Sequence, residues 1–313
     1  MFATLKQVLA AADRGKYAVG AFNVNNLEIL QAVVETAVEE KAPVIIQTTE
    51  GAIEYAGMDY LVAMAEVAAR APVPVVLHLD HGKDLKVIRR AIRSGYTSVM
   101  YDGSLLPYRE NVRNTRKVVG WAHVAGVSVE AEIGAIKGIE DLVHVSDKQA
   151  FFTDPDEARR FARDTGCDAL AISVGTAHGA YKFKAEAKLD IPRLKKIDSL
   201  VKVPLVLHGA SEVDRAMFRR MKDHCDVIGD CKRLSGAKGV PDAEIRKAIR
   251  AGIRKINTDT DLRIAFTTGV RETLLSDKKA FDPRKILALS KELMKEAVRD
   301  RMLVFGCRNK AKR

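Results

Sequence analysis

Eight short apolar segments, each followed by a helical pattern, are the feature of this sequence that most constrains its fold. Runs such as "PVIIQT" and "PVVLHLD" alternate with stretches such as "EILQAVVETAVEEK", in which apolar residues recur every three to four positions. Continuous apolar strands separated by helices indicate a parallel sheet that is covered on both faces. The predicted strands are 19–24, 43–48, 74–80, 97–102, 127–133, 169–174, 204–209 and 254–260.

The repeated unit predicts an α/β protein, a single (β/α)8 TIM barrel. An open, doubly wound sheet is the alternative, but eight parallel strands of similar length favour closure. The 313 residues contain no linker rich in proline and glycine and no break in composition. We therefore predict one catalytic domain over residues 1–313, with a helical extension at about 283–305 and a short basic tail.

Composition narrows the classes of partner. The 52 Lys and Arg against 41 Asp and Glu give a net charge of +11, which suits an acidic substrate. Two basic clusters, 230–239 and 307–313, lack the interleaved aromatic residues that stack on bases, so we expect no nucleic acid partner. A basic nucleic-acid-binding protein remains the distant alternative. No apolar run approaches the 18–20 residues that a membrane span needs, so no membrane partner is expected.

Cysteine usage predicts a reducing compartment. The four cysteines, Cys167, Cys225, Cys231 and Cys307, show no C-x-x-C spacing and no regular framework. Free thiols of this kind are typical of proteins outside the secretory pathway. We therefore expect a cytoplasmic location.

Polar residues stand at almost every predicted strand end. In a barrel of this kind the loops after the strands carry the chemistry, and a chance distribution would place such residues at both rims. An active site is therefore predicted at this end. The residues are Asn23, Thr48, Thr49, Asp80, His81, Asp102, Glu132, "GTAHG" (175–179), "HGAS" (208–211) and "NTDT" (257–260).

Three histidines at these ends predict a metal site. His81, His178 and His208 follow the third, sixth and seventh strands, and three imidazoles with an open position are typical of catalytic zinc. Strand alternation by itself selects His78 in place of His81, because His78 matches His208 in the repeated "LH". The residue pattern leaves this choice open.

Glycine-rich turns predict a phosphate cradle beside the histidines. "VGTAHGAYK", "LHGAS" and "NTDT" offer backbone N–H groups and hydroxyls. Barrels often bind phosphate through the loops after strands 7 and 8. The segment 132–145 contains Glu140 and Asp141. It is either a solvated acidic loop or a mobile loop that brings a carboxylate base over the site. A metal, a phosphate cradle and carboxylates together indicate proton abstraction next to a carbonyl, coupled to a C–C bond change.

The motifs carry a resemblance to a known family. "GAFNVNN", "PVIIQTTEGA", "HLDHG", "SVMYDGS", "VSVEAEIG", "GTAHGAYK", "LHGAS", "KINTDTDLR" and "FDPRK" occur in order from about residue 2 to about 305. The chain resembles the class II (metal-dependent) fructose-bisphosphate aldolases, and most of all a thermophilic subset with "GIE" in the loop. The resemblance implies reversible cleavage of fructose 1,6-bisphosphate to dihydroxyacetone phosphate and glyceraldehyde 3-phosphate. Tagatose-1,6-bisphosphate aldolase, with the same mechanism, is the alternative.

The resemblance also implies roles for individual residues. His81, His178 and His208 would bind a divalent metal, usually Zn²⁺, and His78 would only support them. Asp80 would handle the proton of the C4 hydroxyl, and Glu140 the proton at the carbon of the enediolate. Asp102 and Glu132 resemble an alternative metal position.

Substrate contacts follow from the same motifs. The residues that would hold one phosphate and a monovalent cation, Na⁺ or K⁺, are Gly179, Lys182, Gly209, Ser211, Asp259 and Thr260. Asn257 would orient the enediolate, and Asn23 and Thr49 would contact the other half of the sugar. Arg284 resembles an arginine that reaches a neighbouring subunit's site, which implies a homo-oligomer, either a dimer or a tetramer.

A Schiff-base aldolase is a further rival, since it needs only a buried lysine at a strand end. Lys182 lies several residues past its strand, and Lys255 lies at the start of one. Neither is well placed for this chemistry. Resistance to a chelator and trapping by borohydride would indicate the lysine route.

Overall fold

The structure is a computed structural model that describes residues 2–134, 137–140, 143–145, 152–178, 188–212, 215–223 and 239–311. The strands in chain order are β1 Val19–Asn23, β2 Val44–Thr48, β3 Val75–Gly82, β4 Ser98–Tyr101, β5 Ser128–Ile133, β6 Lys137–Glu140, β7 Val143–Val145, β8 Ala169–Ile172, β9 Ala177–His178, β10 Leu205–Leu207 and β11 Ile253–Thr258. The helices are α1 Leu5–Gly15, α2 Leu27–Glu39, α3 Glu50–Ala56, α4 Met58–Ala68, α5 Leu85–Arg93, α6 Tyr108–Val124, α7 Pro155–Thr165, α8 Ile191–Leu200, α9 Arg215–Asp223, α10 Asp242–Arg250, α11 Thr260–Ser276 and α12 Pro283–Phe305.

Eight of the strands close into a parallel barrel. Their order around it is β1–β11–β10–β8–β5–β4–β3–β2, and neighbouring strands pair in parallel, as Gln47 does with His78. The predicted (β/α)8 barrel is confirmed, and the open sheet is excluded. Each barrel strand lies within a predicted segment or overruns it by one or two residues; β11, for example, begins at Ile253 rather than Arg254.

The strands are apolar on both faces because both faces are buried. Every side chain of β3 is buried, and the same holds for β1, β2 and β5. One face packs under the surrounding helices and the other fills the barrel interior, as expected for a covered parallel sheet. Polar side chains that point into this interior have no access to bulk water, so they must bond one another.

Several of the helices begin at side-chain caps, as α1 and α2 show. Thr4 and Gln7 form a reciprocal capping box at α1, and the side chain of Asn26 accepts from the Ile29 N–H at α2. α12 starts with a proline in its first turn and ends at Gly306, whose φ is 72°, the asymmetry that helix ends favour. No helix among the described residues is long and apolar enough to cross a membrane.

A second, three-stranded sheet stands beside the carboxyl end of the barrel. Its order is β7–β6–β9: β6 pairs antiparallel with β7 and parallel with β9, with Gly138 opposite His178. The sequence predicts a loop over 132–145, whereas two strands form within it. The reason is that β9, at the end of the sixth barrel strand, offers an edge to which β6 adds.

Candidate active site

A break in strand β3 places His81 at the rim of the barrel. His81 has φ 48°, in the left-handed region, and the register between β3 and β4 shifts between Leu79 and Gly82. A non-glycine residue in this conformation costs about 1–2 kcal/mol, and strain of this kind is concentrated at functional sites. The irregularity is the reason that simple alternation, which selects His78, does not describe the end of this strand.

His78 lies deeper and is fully buried. Its Nδ1 is 2.8 Å from Ser98 Oγ, and its Nε2 is 3.5 Å from Glu130 Oε2. Burial, reinforced by the positive charge of Lys255, lowers the pKa of His78 to about 3. The imidazole is therefore neutral at physiological pH and supports the interior, in agreement with the supporting role that the resemblance implies.

Asp102 fixes the ring of His81. Its Oδ2 lies 3.0 Å from His81 Nδ1, while Oδ1 accepts from the backbone N–H and the hydroxyl of Ser104 at 3.1 and 2.7 Å. Burial would raise the pKa of Asp102, but the His81 bond outweighs it, and the net pKa lies below the usual range. An ionised Asp102 accepts a hydrogen bond from the Nδ1–H of His81, which leaves Nε2 unprotonated and directed at the site.

Glu130 fixes His208 in the same way. Its Oε1 lies 2.8 Å from His208 Nε2, so the ring donates from Nε2 and presents Nδ1. That Nδ1 faces His81 Nε2 at 3.0 Å, and the rings meet edge to face. In each ring one nitrogen bonds a carboxylate, and the remaining nitrogens, His81 Nε2 and His208 Nδ1, converge on one point.

This point favours a positive charge. Burial would lower the pKa of His81, but Asp80 and Asp102 raise it well above its ordinary value. Either a proton or a metal cation therefore stabilises the facing nitrogens. Around a tetrahedral zinc with bonds of 2.0–2.1 Å, two ligand nitrogens lie about 3.3 Å apart, close to the separation found here.

Glu132 supplies a third donor beside the two rings. Its Oε2 lies 3.7 Å from His208 Nδ1 and 3.9 Å from His81 Nδ1, is buried, and has no hydrogen-bond partner among the described residues. Burial and the neighbouring Asp102 raise the pKa of Glu132 well above its usual range. Two overlapping groups, Asp80–His81–His208 and His81–Asp102–Glu132, bring their ligand atoms within 4.8 Å of one another. This donor set fits a divalent metal.

Three amides hold the carboxylate of Asp80. Oδ1 accepts from Asn257 Nδ2 at 3.0 Å, and Oδ2 accepts from Gln47 Nε2 at 2.9 Å, with a longer contact of 3.5 Å from Asn23 Nδ2. Gln47 Nε2 also donates to Asn23 Oδ1 at 2.7 Å. Asp80 is thus held beside the two imidazoles by neutral donors, an arrangement that suits a general acid/base.

The loop after β10 and the start of α11 lie next to each other. Gly209 adopts φ 62°, and the Asp259 N–H points at Ser211 Oγ, 3.5 Å away. Thr260 begins α11 and is buried. A left-handed glycine turn beside a helix N-terminus is a suitable anion cradle, although Asp259 itself pairs with Arg263 at 2.7 Å.

Of the other predicted residues, two have described contacts elsewhere in the chain, and the rest lie wholly or partly outside the described residues. Thr49 Oγ1 accepts from the Ala52 N–H at 3.0 Å and so caps α3. Arg284 is 89% exposed and pairs with Asp282 of its own chain at 2.8 Å. For His178 and Glu140 only the backbone is described, in β9 and β6, and Gly179 and Lys182 lie outside the described residues.

Comparison with known proteins identifies the family. The profile of the family described as fructose-bisphosphate aldolase class-II matches residues 3–310. The chain belongs to the class II fructose-bisphosphate aldolase family. It is 48% identical to a fructose-bisphosphate aldolase of Thermus caldophilus, over 98% of both chains, and 45% identical to one of Helicobacter pylori strain J99, over 97% of this chain and 98% of that one.

A solved structure agrees with the barrel. The YdjI aldolase from Escherichia coli K12 is 30% identical, with a TM-score of 0.77 over 100% of both chains. The class II family depends on a divalent metal, and the converging donors of this member fit that requirement. The predicted family and the aldolase activity are therefore confirmed.

The sequence pattern does not single out Gln47 or Glu130 of this class II site, and it brings in Lys255 only as a rejected Schiff-base lysine. Glu130 and Lys255 stand two positions before Glu132 and Asn257 on their strands. Side chains two apart point to the same face, so each lies one layer deeper in the barrel. A charged residue inside an apolar strand, two positions before a site residue, is the signal that could have revealed them.

Proposed function

We propose that this protein is an aldolase that reversibly cleaves fructose 1,6-bisphosphate to dihydroxyacetone phosphate and glyceraldehyde 3-phosphate. The observation that carries the proposal is the convergence of His81 Nε2 and His208 Nδ1 at 3.0 Å beside an amide-held Asp80. Family membership over nearly the whole chain agrees with it. A divalent metal bound there, for which we propose Zn²⁺ with His178 as a further ligand, would act as a Lewis acid on the substrate carbonyl and stabilise the enediolate.

Asp80 is the general base of the cleavage direction. It accepts the proton of the C4 hydroxyl as the C3–C4 bond breaks and the C4 carbon becomes the aldehyde of glyceraldehyde 3-phosphate. The bonding pair moves toward the C2 carbonyl, and the enediolate takes a proton at C3 from Glu140. Asn257, whose Nδ2 already donates to Asp80, stands where it can also orient the enediolate.

The glycine turn and the start of α11 take the phosphate of the ketone half. We assign this role to Gly179, Lys182, Gly209, Ser211, Asp259 and Thr260. Backbone N–H groups at a helix start and a left-handed turn attract the dianion, while the carboxylate of Asp259 favours a monovalent cation, Na⁺ or K⁺, between itself and the phosphate. Asn23 and Thr49 contact the other half of the sugar.

The second phosphate is held from a neighbouring subunit. Arg284, in the first turn of α12, is exposed and therefore available to a site other than its own. We accordingly propose a homo-oligomer, a dimer or a tetramer, in which each chain supplies this arginine to its neighbour. The cytoplasmic location stays a prediction from the sequence.

Cleavage of fructose 1,6-bisphosphate and tagatose 1,6-bisphosphate, side by side, tests the proposal. We expect fast cleavage of the fructose epimer, loss of activity in EDTA and recovery when zinc is restored. Preference for the tagatose epimer would keep the mechanism and overturn the substrate. Cleavage that resists EDTA, or trapping by borohydride, would overturn the metal mechanism. No cleavage of either sugar by folded, zinc-loaded protein would overturn the function.

A further inference from the structure

A lysine at the centre of the barrel joins the two halves of the proposed site. Lys255 lies on β11, and its side chain is fully buried. Its Nζ forms an ion pair with Glu130 Oε2 at 2.9 Å and donates to Asn257 Oδ1 at 2.8 Å. Since a buried ammonium without acceptors is very costly, both contacts are needed to keep it inside the barrel.

One arm of this network leads to the metal ligands. Glu130 uses Oε2 for Lys255 and Oε1 for His208 Nε2, at 2.8 Å. Oε1 is thus held by a hydrogen bond and Oε2 by the ion pair alone, since Oε2 has no hydrogen-bond partner among the described residues. Together the two contacts restrain the carboxylate and with it the ring of His208. Groups behind metal ligands commonly act in this way, since the ring of a histidine ligand is held by the hydrogen bond of its other nitrogen.

The other arm leads to the general base. Lys255 can only donate and ionised Asp80 can only accept, so the Asn257 amide between them has a single satisfactory orientation. Its Oδ1 faces Lys255 at 2.8 Å and its Nδ2 faces Asp80 at 3.0 Å. Without the ammonium, Asn257 Oδ1 would lose its donor and only Asp80 would still orient the amide, so the amide would hold the base less firmly.

We propose that Lys255 is a positioning residue of the aldol site, whose single ammonium orients His208 through Glu130 and Asp80 through Asn257. The inference deepens the proposed function and rests on it for the role of Asp80. The part of the network that runs through Glu130 to His208 affects zinc binding and does not depend on the identity of the substrate. The described contacts of Lys255 are with Glu130 and Asn257 and include no proposed metal ligand, so Lys255 is a positioning residue and not a catalytic one.

Lys255→Met, which removes the ammonium and keeps the length of the side chain, tests the inference. We measure the zinc dissociation constant by competition with a chelator, and kcat and KM at saturating zinc. The zinc dissociation constant should rise by about 10–100-fold, as is usual when a residue that orients a metal ligand is changed. The value of kcat should fall by about 10-fold or more, with KM changing less.

The matched control is Arg254→Met, which removes the neighbouring buried cation of β11. Arg254 bonds Asp13 and the carbonyl oxygens of Ile249 and Ile253, not the barrel network. This variant should lose stability but keep the zinc dissociation constant and kcat within about twofold of the wild-type values. If Lys255→Met behaves like Arg254→Met, the inference is overturned.

Lys255→Met leaves the Glu130 carboxylate uncompensated and could prevent folding. The double variant Lys255→Met/Glu130→Gln removes both charges and retains an acceptor for His208. We expect it to fold and to regain most of its zinc affinity, with kcat still low because Asn257 has lost its donor. Full recovery of kcat would mean that the pair is structural only, and would overturn the inference.

Zinc affinity is measured without sugar. A failure of the inference about Lys255 is therefore distinguishable from a failure of the proposed function, which cleavage by the wild-type protein tests.

Discussion

Gln47→Met should separate the acid/base half of the site from the metal half. Gln47 Nε2 donates to Asp80 Oδ2 at 2.9 Å and to Asn23 Oδ1 at 2.7 Å. A hydrogen bond to a charged group contributes about 1.5–3 kcal/mol. If the bond acts fully in the transition state, its loss lowers kcat/KM by roughly 10–150-fold, at about 1.4 kcal/mol per factor of ten.

Methionine has nearly the same length, and it also removes Gln47 Oε1, which has no hydrogen-bond partner among the described residues. The fold should therefore survive, with a loss of at most about 3 kcal/mol in the free energy of unfolding.

A cleavage assay coupled to reduction of the products measures kcat/KM, and chelator competition measures zinc affinity. The zinc dissociation constant should stay within about twofold of the wild-type value, because the described contacts of this amide do not include the imidazoles. Gln31→Met is the control, since Gln31 is exposed on α2 and only accepts from Lys291; its kcat/KM should not change. A Gln47→Met enzyme with wild-type kcat/KM would refute the claim that these amides hold Asp80 for proton transfer.

Two further predictions concern buried titratable groups. The pKa of His78 falls from its ordinary value of 6.5 to about 3 in the folded chain, so the unfolded chain binds more protons between these values and stability falls as the pH drops through this window. The free energy of unfolding of zinc-free protein in urea is therefore expected to fall between pH 7 and pH 5, and this fall should be smaller in His78→Asn by about 1–2 kcal/mol. Equal falls in the variant and the wild type would contradict the lowered pKa of His78. Burial raises the pKa of Cys167 and Cys307 to about 12, which leaves a thiolate fraction of about one in ten thousand at pH 8. In a Cys225→Ser/Cys231→Ser variant, a thiol reagent should label neither cysteine until guanidinium unfolds the chain, and rapid labelling of the native protein would contradict this.

The strand pattern predicts the barrel well because strands that are buried on both faces require continuous apolar runs. The strand pattern also predicts which polar residues lie at the carboxyl end of the barrel. Asp102 directly follows β4, and Glu132 and Asn257 are the second-last residues of β5 and β11. The geometry of β3 could not be predicted in this way. Alternation assumes a regular strand, whereas the left-handed φ of His81 and the register shift beside it are tertiary features that only a family resemblance could supply.

The interior network was missed for a different reason. Gln47, Glu130 and Lys255 lie inside strands, where periodicity marks them only as inward-facing. Their importance depends on partners on distant strands; Glu130 on β5 and Lys255 on β11, for instance, are separated in the barrel by β10 and β8. Pairing across the interior becomes visible only when the barrel is closed. The two short strands within 132–145 were missed for the same reason, because β6 forms against β9.

The most direct test of the account is anomalous X-ray diffraction at the zinc absorption edge from zinc-loaded crystals. The account predicts one strong anomalous peak per chain, bonded to His81 Nε2 and His208 Nδ1, at about 2.0–2.1 Å from each nitrogen. A peak elsewhere, or none at these two imidazoles in a chain that cleaves the sugar, would contradict the central claim that they form the metal centre.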